Sequence, residues 1–237
     1  MQFFSLKIPM VNELFTLGGD EGHHLIKVKR CQIGEVIKLF DGNGTQASAE
    51  VVQVNKRDAL LKIINRNCIE KPNVKIVLLI VPPKGKNFPL ILEKAVEIGV
   101  DEIVPVASER SVKEYQAEKE EKYEKILLEA AKQCERAYLP LLHPLKTLEE
   151  SFLSYKQPEY LKLFFHTKEG GKHWEQSSQL PKGAACCIWI GPEGGWAENE
   201  IVFARSKDAY ICTLPMPILR VETAVIAITS LLKTYLA

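Results

Sequence analysis

Net charge is almost absent from this sequence: 31 Lys and Arg stand against 30 Asp and Glu, a formal sum of +1 over 237 residues. That excludes a polyelectrolyte-like binder of nucleic acid, and any anion-binding surface has to be a local patch. Long apolar runs are absent too. None approaches the roughly 20 residues that cross a bilayer, so no membrane-spanning helix is expected. Residues 1–10 carry Lys7 but no long apolar core, so no secretory signal is expected there. Of six cysteines none forms a C-x-x-C pair, and Cys186 and Cys187 sit side by side in an apolar run. The cysteines read as reduced core residues of a cytoplasmic protein. Histidine and cysteine are scattered without ligand spacing, so no metal site is expected. What is present is an ordinary globular balance, 46% hydrophobic and 26% charged. The chain is long enough for one small domain and one medium one.

Rhythm divides the chain. Residues 1–72 predict a small antiparallel β-barrel with one helix. Strands are expected over residues 2–8, 35–40, 45–54 and 59–64, joined by turns at Asp41-Gly42-Asn43-Gly44 and at residues 55–58. The helix is expected over residues 20–30, capped by Asp20, with Leu25 and Val28 three apart on its buried face. Residues 73–237 alternate solid apolar runs with helical patterns. Strands are expected at 74–81, 102–106, 160–165, 185–190 and 210–214. Helices are expected at 88–98, 117–138, 198–207 and 222–236, with a short amphipathic segment at 148–155. Such alternation predicts an α/β domain with a mostly parallel sheet covered on both faces. Charge divides with the pattern: ten Lys and Arg against eight Asp and Glu up to Pro72, and 21 against 22 beyond it.

Parallel sheets bind ligands at the carboxyl ends of their strands. Five Gly-, Pro- or charge-rich segments follow the expected strands there: Pro82–Lys86, Ser108–Ser111, His166–Gly171, Gly191–Trp196 and Pro215–Arg220. An ordinary strand-to-helix turn needs one or two glycines. Three with a proline inside residues 191–195 favour close approach of a ligand to the backbone. The spacing is neither G-x-G-x-x-G nor G-x-x-x-x-G-K-[ST], so neither a dinucleotide fold nor a P-loop is supported. Pro215 and Pro217 force an extended path that presents Ile218 and Leu219. From the residues alone this is either an ordinary buried connection or an apolar slot for a flat heterocycle such as adenine.

Gly191-Pro192-Glu193-Gly194-Gly195 and Ile218-Leu219-Arg220-Val221-Glu222-Thr223-Ala224 resemble two signature segments of the RsmE family. Five further segments resemble it in order: His23-His24-Leu25 with Arg30; Phe40 to Gly44; Glu93 to Val100; Ser108 to Ser111; and Glu129-Ala130 with Gln133, Arg136 and Pro140. The family comprises SPOUT-class methyltransferases that modify N3 of a uridine in 16S ribosomal RNA of the small subunit. The resemblance implies a PUA-like N-terminal domain that binds RNA, a deep C-terminal trefoil knot, a homodimer packed around it, and bound S-adenosylmethionine. Two departures stand out. Pro215 occupies a position where the family usually has glycine, and Lys29 replaces a more usual leucine.

On this resemblance the cofactor pocket would draw on His166, Thr167, Ile190, Gly191, Pro192, Glu193, Gly194, Gly195, Leu214, Ile218, Leu219, Thr223 and Ala224. Methyl transfer from a sulfonium needs alignment, loss of the N3 proton and no metal. Arg220, Arg110 and Arg136 are the candidates to stabilise the uridine anion, with a structural ion pair as the bland alternative for each. Glu222 is either the general base or an orienting group. His23, His24, Lys27, Lys29 and Arg30 form the candidate phosphate-contacting patch, extended by Lys56 and Arg57 at a hairpin tip. His143 and His173 read as surface or core histidines. The rival readings are a SPOUT enzyme acting on transfer RNA and a non-catalytic RNA-binding assembly factor.

Overall fold

The computed structural model describes residues 2–83, 87–111, 117–167, 172–173 and 185–236. Contacts divide the chain into two units. Residues 1–71 with 128–139 form the first, and residues 72–127 with 140–237 form the second.

The first unit is built on five strands: β1 (Gln2–Phe4), β2 (Leu14–Leu17), β3 (Val36–Phe40), β4 (Thr45–Val54) and β5 (Ala59–Cys68). Their spatial order is β1-β3-β4-β5-β2. All pairs are antiparallel except β1 on β3, which is parallel and stops at Phe4 rather than residue 8. Period-two alternation builds the core. Thr45, Ala47, Ala49 and Val51 point inward from β4 and join Ala59, Leu61 and Ile63 of β5 and Ile37 and Leu39 of β3. Register shifts at Ser48/Ala49 and Val51/Gln53 mark bulges in the β4–β5 ladder.

Helix α1 (Gly19–His23) runs straight into a π-helical turn, His24–Val28. Its N-cap is Gly18, and Asp20 lies in the first turn without the expected capping role. The Lys29 N–H donates to the His24 carbonyl five residues back, at 3.1 Å. That wider turn separates positions three apart. Leu25 is fully buried while Val28 is 66% exposed, so the two do not share the expected face.

Residues 128–139 complete this unit. The expected helix to residue 138 is a 3₁₀ turn, Ala117–Lys119, followed by α3 (Glu120–Cys134). It stops because Glu135 takes a left-handed φ of 56°. Lys132 is 2% exposed and donates to Glu21 and Glu129, each at 2.8 Å. The Gln2 amide donates to the Arg136 carbonyl at 2.9 Å. Gly44 sits at φ 99° against the Tyr138 ring, where a Cβ would collide, and the Tyr138 hydroxyl donates to the Ile69 carbonyl at 2.7 Å.

The second unit contains β6 (Ile76–Ile80), α2 (Asn87–Ile98), β7 (Glu102–Ala107), the start of α3, β8 (Leu141–Leu142), β9 (Lys146–Thr147), α4 (Leu148–Ser154), β10 (Tyr160–Phe165), β11 (Lys172–His173), β12 (Ala185–Ile190), α5 (Glu198–Ser206), β13 (Tyr210–Thr213) and α6 (Val221–Leu236). The sheet order is β11-β13-β10-β12-β6-β7-β8, with β9 also on β7, and every pair is parallel. All five residues of β6 are buried, as a strand covered on both faces requires. Chain order is not spatial order: β13 lies outside β10, while α6 packs on α2 and β12. On one face Phe152 stacks on Trp189 at 4.2 Å, and the indole N–H of Trp189 donates to Ser151 at 2.9 Å. Among the cysteines Cys31, Cys186, Cys187 and Cys212 are buried as expected, but Cys68 is exposed and Cys134 half-buried.

Candidate functional site

The carboxyl ends of β10, β12 and β13 are neighbours or next neighbours in the sheet, and one cavity of about 220 Å³ lies across them. From the segment after β10 it draws His166 and Thr167; residues 168–171 lie outside the described residues. From the end of β12 and the segment after it come Ile190, Gly191, Pro192, Glu193, Gly194 and Gly195. From the connection between β13 and α6 come Leu214, Ile218 and Leu219, and from the first turn of α6 comes Ala224. These side chains and backbone segments converge because three parallel strands end side by side, although they lie up to 58 positions apart in the chain (166 to 224).

The glycines divide by cause. A Cβ on Gly191 would stand 2.8 Å from the indole nitrogen of Trp196, so packing demands that glycine. Gly195 has φ +67°, and its N–H donates to the Pro192 carbonyl at 2.8 Å, so the turn demands that one. At Gly194 a Cβ would meet nothing nearer than Arg110 carbons at 3.8 Å. Neither packing nor turn geometry accounts for Gly194, which leaves bare backbone facing the cavity.

Trp196 is 1% exposed, packs at 4.5 Å on Phe164, and donates its indole N–H to the Phe165 carbonyl at 3.0 Å. It thus ties the loop after β12 to the end of β10. Arg110, from the segment after β7, donates to the carbonyls of Gly194 at 3.0 Å and Trp196 at 3.2 Å and lines the cavity mouth. Its role here is to hold backbone rather than to pair with an acid. Residues 82–83, from the segment after β6, do not line the cavity, and residues 84–86 lie outside the described residues.

Four expected residues are not in the lining. Arg220 is exposed, and its carbonyl accepts the N–H of Ala224 at 2.8 Å, opening α6. Glu222 accepts a bond from the Asn87 amide at 3.3 Å. Thr223 faces solvent. Arg136 belongs to the first unit. Conversely, the lining includes Phe165, Trp196, Thr213, Met216, Pro217, Val221 and Ile228, which were not among the expected cofactor residues. Ile228 has a legible cue, standing four residues after Ala224 on the same helix face.

In the first unit His23, Lys27, Lys29 and Arg30 are exposed and His24 is half-buried against the Phe3 ring at 5.8 Å. The Lys29 ammonium lies 5.8 Å from the same ring's centroid. Lys56 and Arg57 are exposed at the β4–β5 turn, closed by Asn55 N–H donating to the Asp58 carbonyl at 2.9 Å. No group of three or more metal-ligating side chains occurs among the described residues. His143 is hydrogen-bonded to Glu102 at 2.8 Å, and the side chain of His173 lies outside the described residues.

A parallel α/β sheet with a glycine-lined cavity across three strand ends defines a small-ligand-binding α/β domain. Residues 70–233 match the RNA methyltransferase domain family, and residues 17–64 match the RNA methyltransferase PUA domain. The chain therefore belongs to the ribosomal RNA small subunit methyltransferase E family of RNA methyltransferases. It is 30% identical to that enzyme of Bacillus subtilis, covering 89% of this chain and 86% of the relative. Against the enzyme of a Synechocystis species it is 31% identical, covering 91% and 71%. Its fold superposes with a TM-score of 0.89 on the Neisseria gonorrhoeae enzyme bound to S-adenosyl methionine, at 27% identity over 99% of this chain and 97% of that one.

Proposed function

We propose that this chain binds S-adenosylmethionine in the cavity at the ends of β10, β12 and β13 and methylates N3 of a uridine in 16S ribosomal RNA. The observation that carries it is Gly194: an unforced glycine whose open backbone faces the cavity, in a segment with the family's signature. The donor set suits the cofactor. Ile190, Leu214, Leu219, Ala224 and Ile228 supply apolar walls for a flat heterocycle, and the loop backbone supplies polar partners. When bound, the cofactor supplies an electrophilic methyl on a sulfonium.

The protein's own work is orientation and charge. Arg110 stands at the mouth with a guanidinium that stays protonated, suited to the anion left by loss of the N3 proton. Glu222 and Arg220 flank the start of α6 and serve as proton acceptor and its partner once RNA closes over the site. His23, His24, Lys27, Lys29 and Arg30 contact RNA phosphates, with Arg136 placed in the same unit. The chain acts in the cytoplasm as a homodimer with a trefoil knot. The path supports a knot: the chain leaves β13 on one side of β10, yet its last helix packs on α2 and β12 on the other.

The test is incubation with labelled S-adenosylmethionine and either isolated small subunits or bulk transfer RNA, followed by nucleoside mass spectrometry. N3-methyluridine in 16S RNA is expected. Label in transfer RNA, or cofactor binding without transfer, would overturn the substrate assignment. Arg220→Ala is expected to slow single-turnover methylation roughly 10²–10³-fold without altered melting. A near-wild-type rate would remove Arg220 from the mechanism and leave charge stabilisation to Arg110 alone.

A further inference from the structure

Glu200 is a carboxylate only 7% exposed, and such a group is costly unless both oxygens are satisfied. Oε2 accepts the N–H of Ala197 at 2.7 Å, the ordinary way in which a third helical residue caps its own helix. Oε1 does something capping does not require. It accepts the N–H of Glu109 at 2.9 Å, from the segment after β7, 91 positions away. That segment is itself closed by Ser111, whose hydroxyl donates to the Ser108 carbonyl at 2.7 Å and accepts the Ser108 N–H at 3.1 Å. Asn199 donates to the Glu109 carboxylate at 2.8 Å. The next residue, Arg110, reaches back to the carbonyls of Gly194 and Trp196.

We infer that Glu200 is a positioning residue for the cofactor wall: by holding the Glu109 amide it aims Arg110, and Arg110 fixes the Gly194–Trp196 backbone that the cofactor meets. Glu200 does not line the cavity. Its effect passes through Arg110, and the inference rests on the cofactor reading above. A buried carboxylate with one amide on each of two loops is the natural device, because the two oxygens fix both the spacing and the angle between them.

The variant Glu200→Gln keeps shape and one accepting oxygen. Its amide nitrogen must face either Ala197 N–H or Glu109 N–H, donor against donor. If the remaining oxygen caps α5, the Glu109 contact is lost. Calorimetric titration of the full chain with S-adenosylmethionine should show affinity about tenfold weaker for Glu200→Gln and for Arg110→Lys. The double variant should be no weaker than the worse single one, because both act on one chain of contacts. Asn199→Ala should show a smaller loss in the same direction, and it serves if Glu200→Gln fails to fold. With small subunits as substrate, the KM for cofactor should rise more than kcat falls. Wild-type cofactor affinity in Glu200→Gln with only a lowered melting temperature would reduce Glu200 to a helix cap and overturn the inference. Fully additive losses in the double variant would overturn it as well. A wild-type chain that does not bind the cofactor would instead remove the underlying reading.

Discussion

Gly191 and Gly194 stand three residues apart, yet a side chain meets different surroundings at each. At Gly191 the first added carbon would press on the Trp196 indole at 2.8 Å, and that ring is locked by Phe164 and the Phe165 carbonyl. Gly191→Ala is expected to cost about 1–3 kcal/mol of stability by overpacking, read as a lowered urea midpoint. At Gly194 the same carbon makes only ordinary contact with Arg110. Gly194→Ala should leave stability within about 0.5 kcal/mol of wild type and weaken S-adenosylmethionine roughly tenfold, about 1.4 kcal/mol. Gly194→Val should abolish binding. Calorimetry beside thermal melts separates the two positions, and unchanged cofactor affinity in folded Gly194→Val would dismiss the cavity as the cofactor site. The glycine cluster was visible in the sequence, but this division of labour was not. It depends on Trp196, whose ring reaches across to a strand that precedes it by 31 positions.

Elements carry their own electrostatics at the opposite edge of the second unit's sheet. Glu102, the first residue of β7, accepts from His143 at 2.8 Å and Tyr155 at 2.7 Å and pairs with Lys75 at 2.5 Å, while Lys75 also donates to Tyr160 at 3.1 Å. These groups come from the approaches to β6 and β10, from the β8–β9 connection and from the end of α4. The bond from His143, with those from Lys75 and Tyr155, outweighs partial burial and draws the Glu102 carboxyl from its ordinary 4.5 down to about 2. A folded-state value below the unfolded one adds stability that is fully present above the unfolded value. That stability drains away as pH falls from about 4.5 toward 2. Urea midpoints for wild type and Glu102→Gln should therefore converge as pH drops through that window and stay apart at neutral pH. A constant gap would show that the cluster holds the strands by shape alone. Continuous apolar runs made β6, β7, β10 and β12 legible in the sequence. β2 was not legible, because Leu14 is 57% exposed and only Leu17 of its four residues is buried. The π turn after α1 and the left-handed stop at Glu135 were also hidden. Neither has the glycine or proline that announces such a break.

At the scale of the whole molecule, the proposed homodimer turns on α6, a helix rich in apolar positions. Val225, Ile228, Leu231, Leu232 and Tyr235 recur at helical spacings, but Val225, Ile228 and Leu232 are buried within the subunit and so are already used. What remains is another set: Ile226 at 37% exposure, Tyr235 at 40%, and Ile218 at 83% just ahead of the helix, with Leu231 half-buried. Ile218 also lines the cavity proposed for the cofactor, so a partner that covered it would reach the site as well. Apolar side chains left in this density on one segment favour association over solvation, at roughly 25 cal/mol per Å² of apolar surface removed from water. A homodimer is therefore expected at micromolar protein by light scattering. Ile226→Glu should shift it toward monomer without unfolding it, because the side chain is not part of the subunit core. Cofactor affinity should fall in the monomeric variant, through loss of cover over Ile218, while Lys29→Glu/Arg30→Glu should weaken RNA binding and leave cofactor affinity intact. A wild-type chain that scatters as a stable monomer would sink the dimer. A monomeric Ile226→Glu with undiminished cofactor affinity would show that each subunit completes its own site.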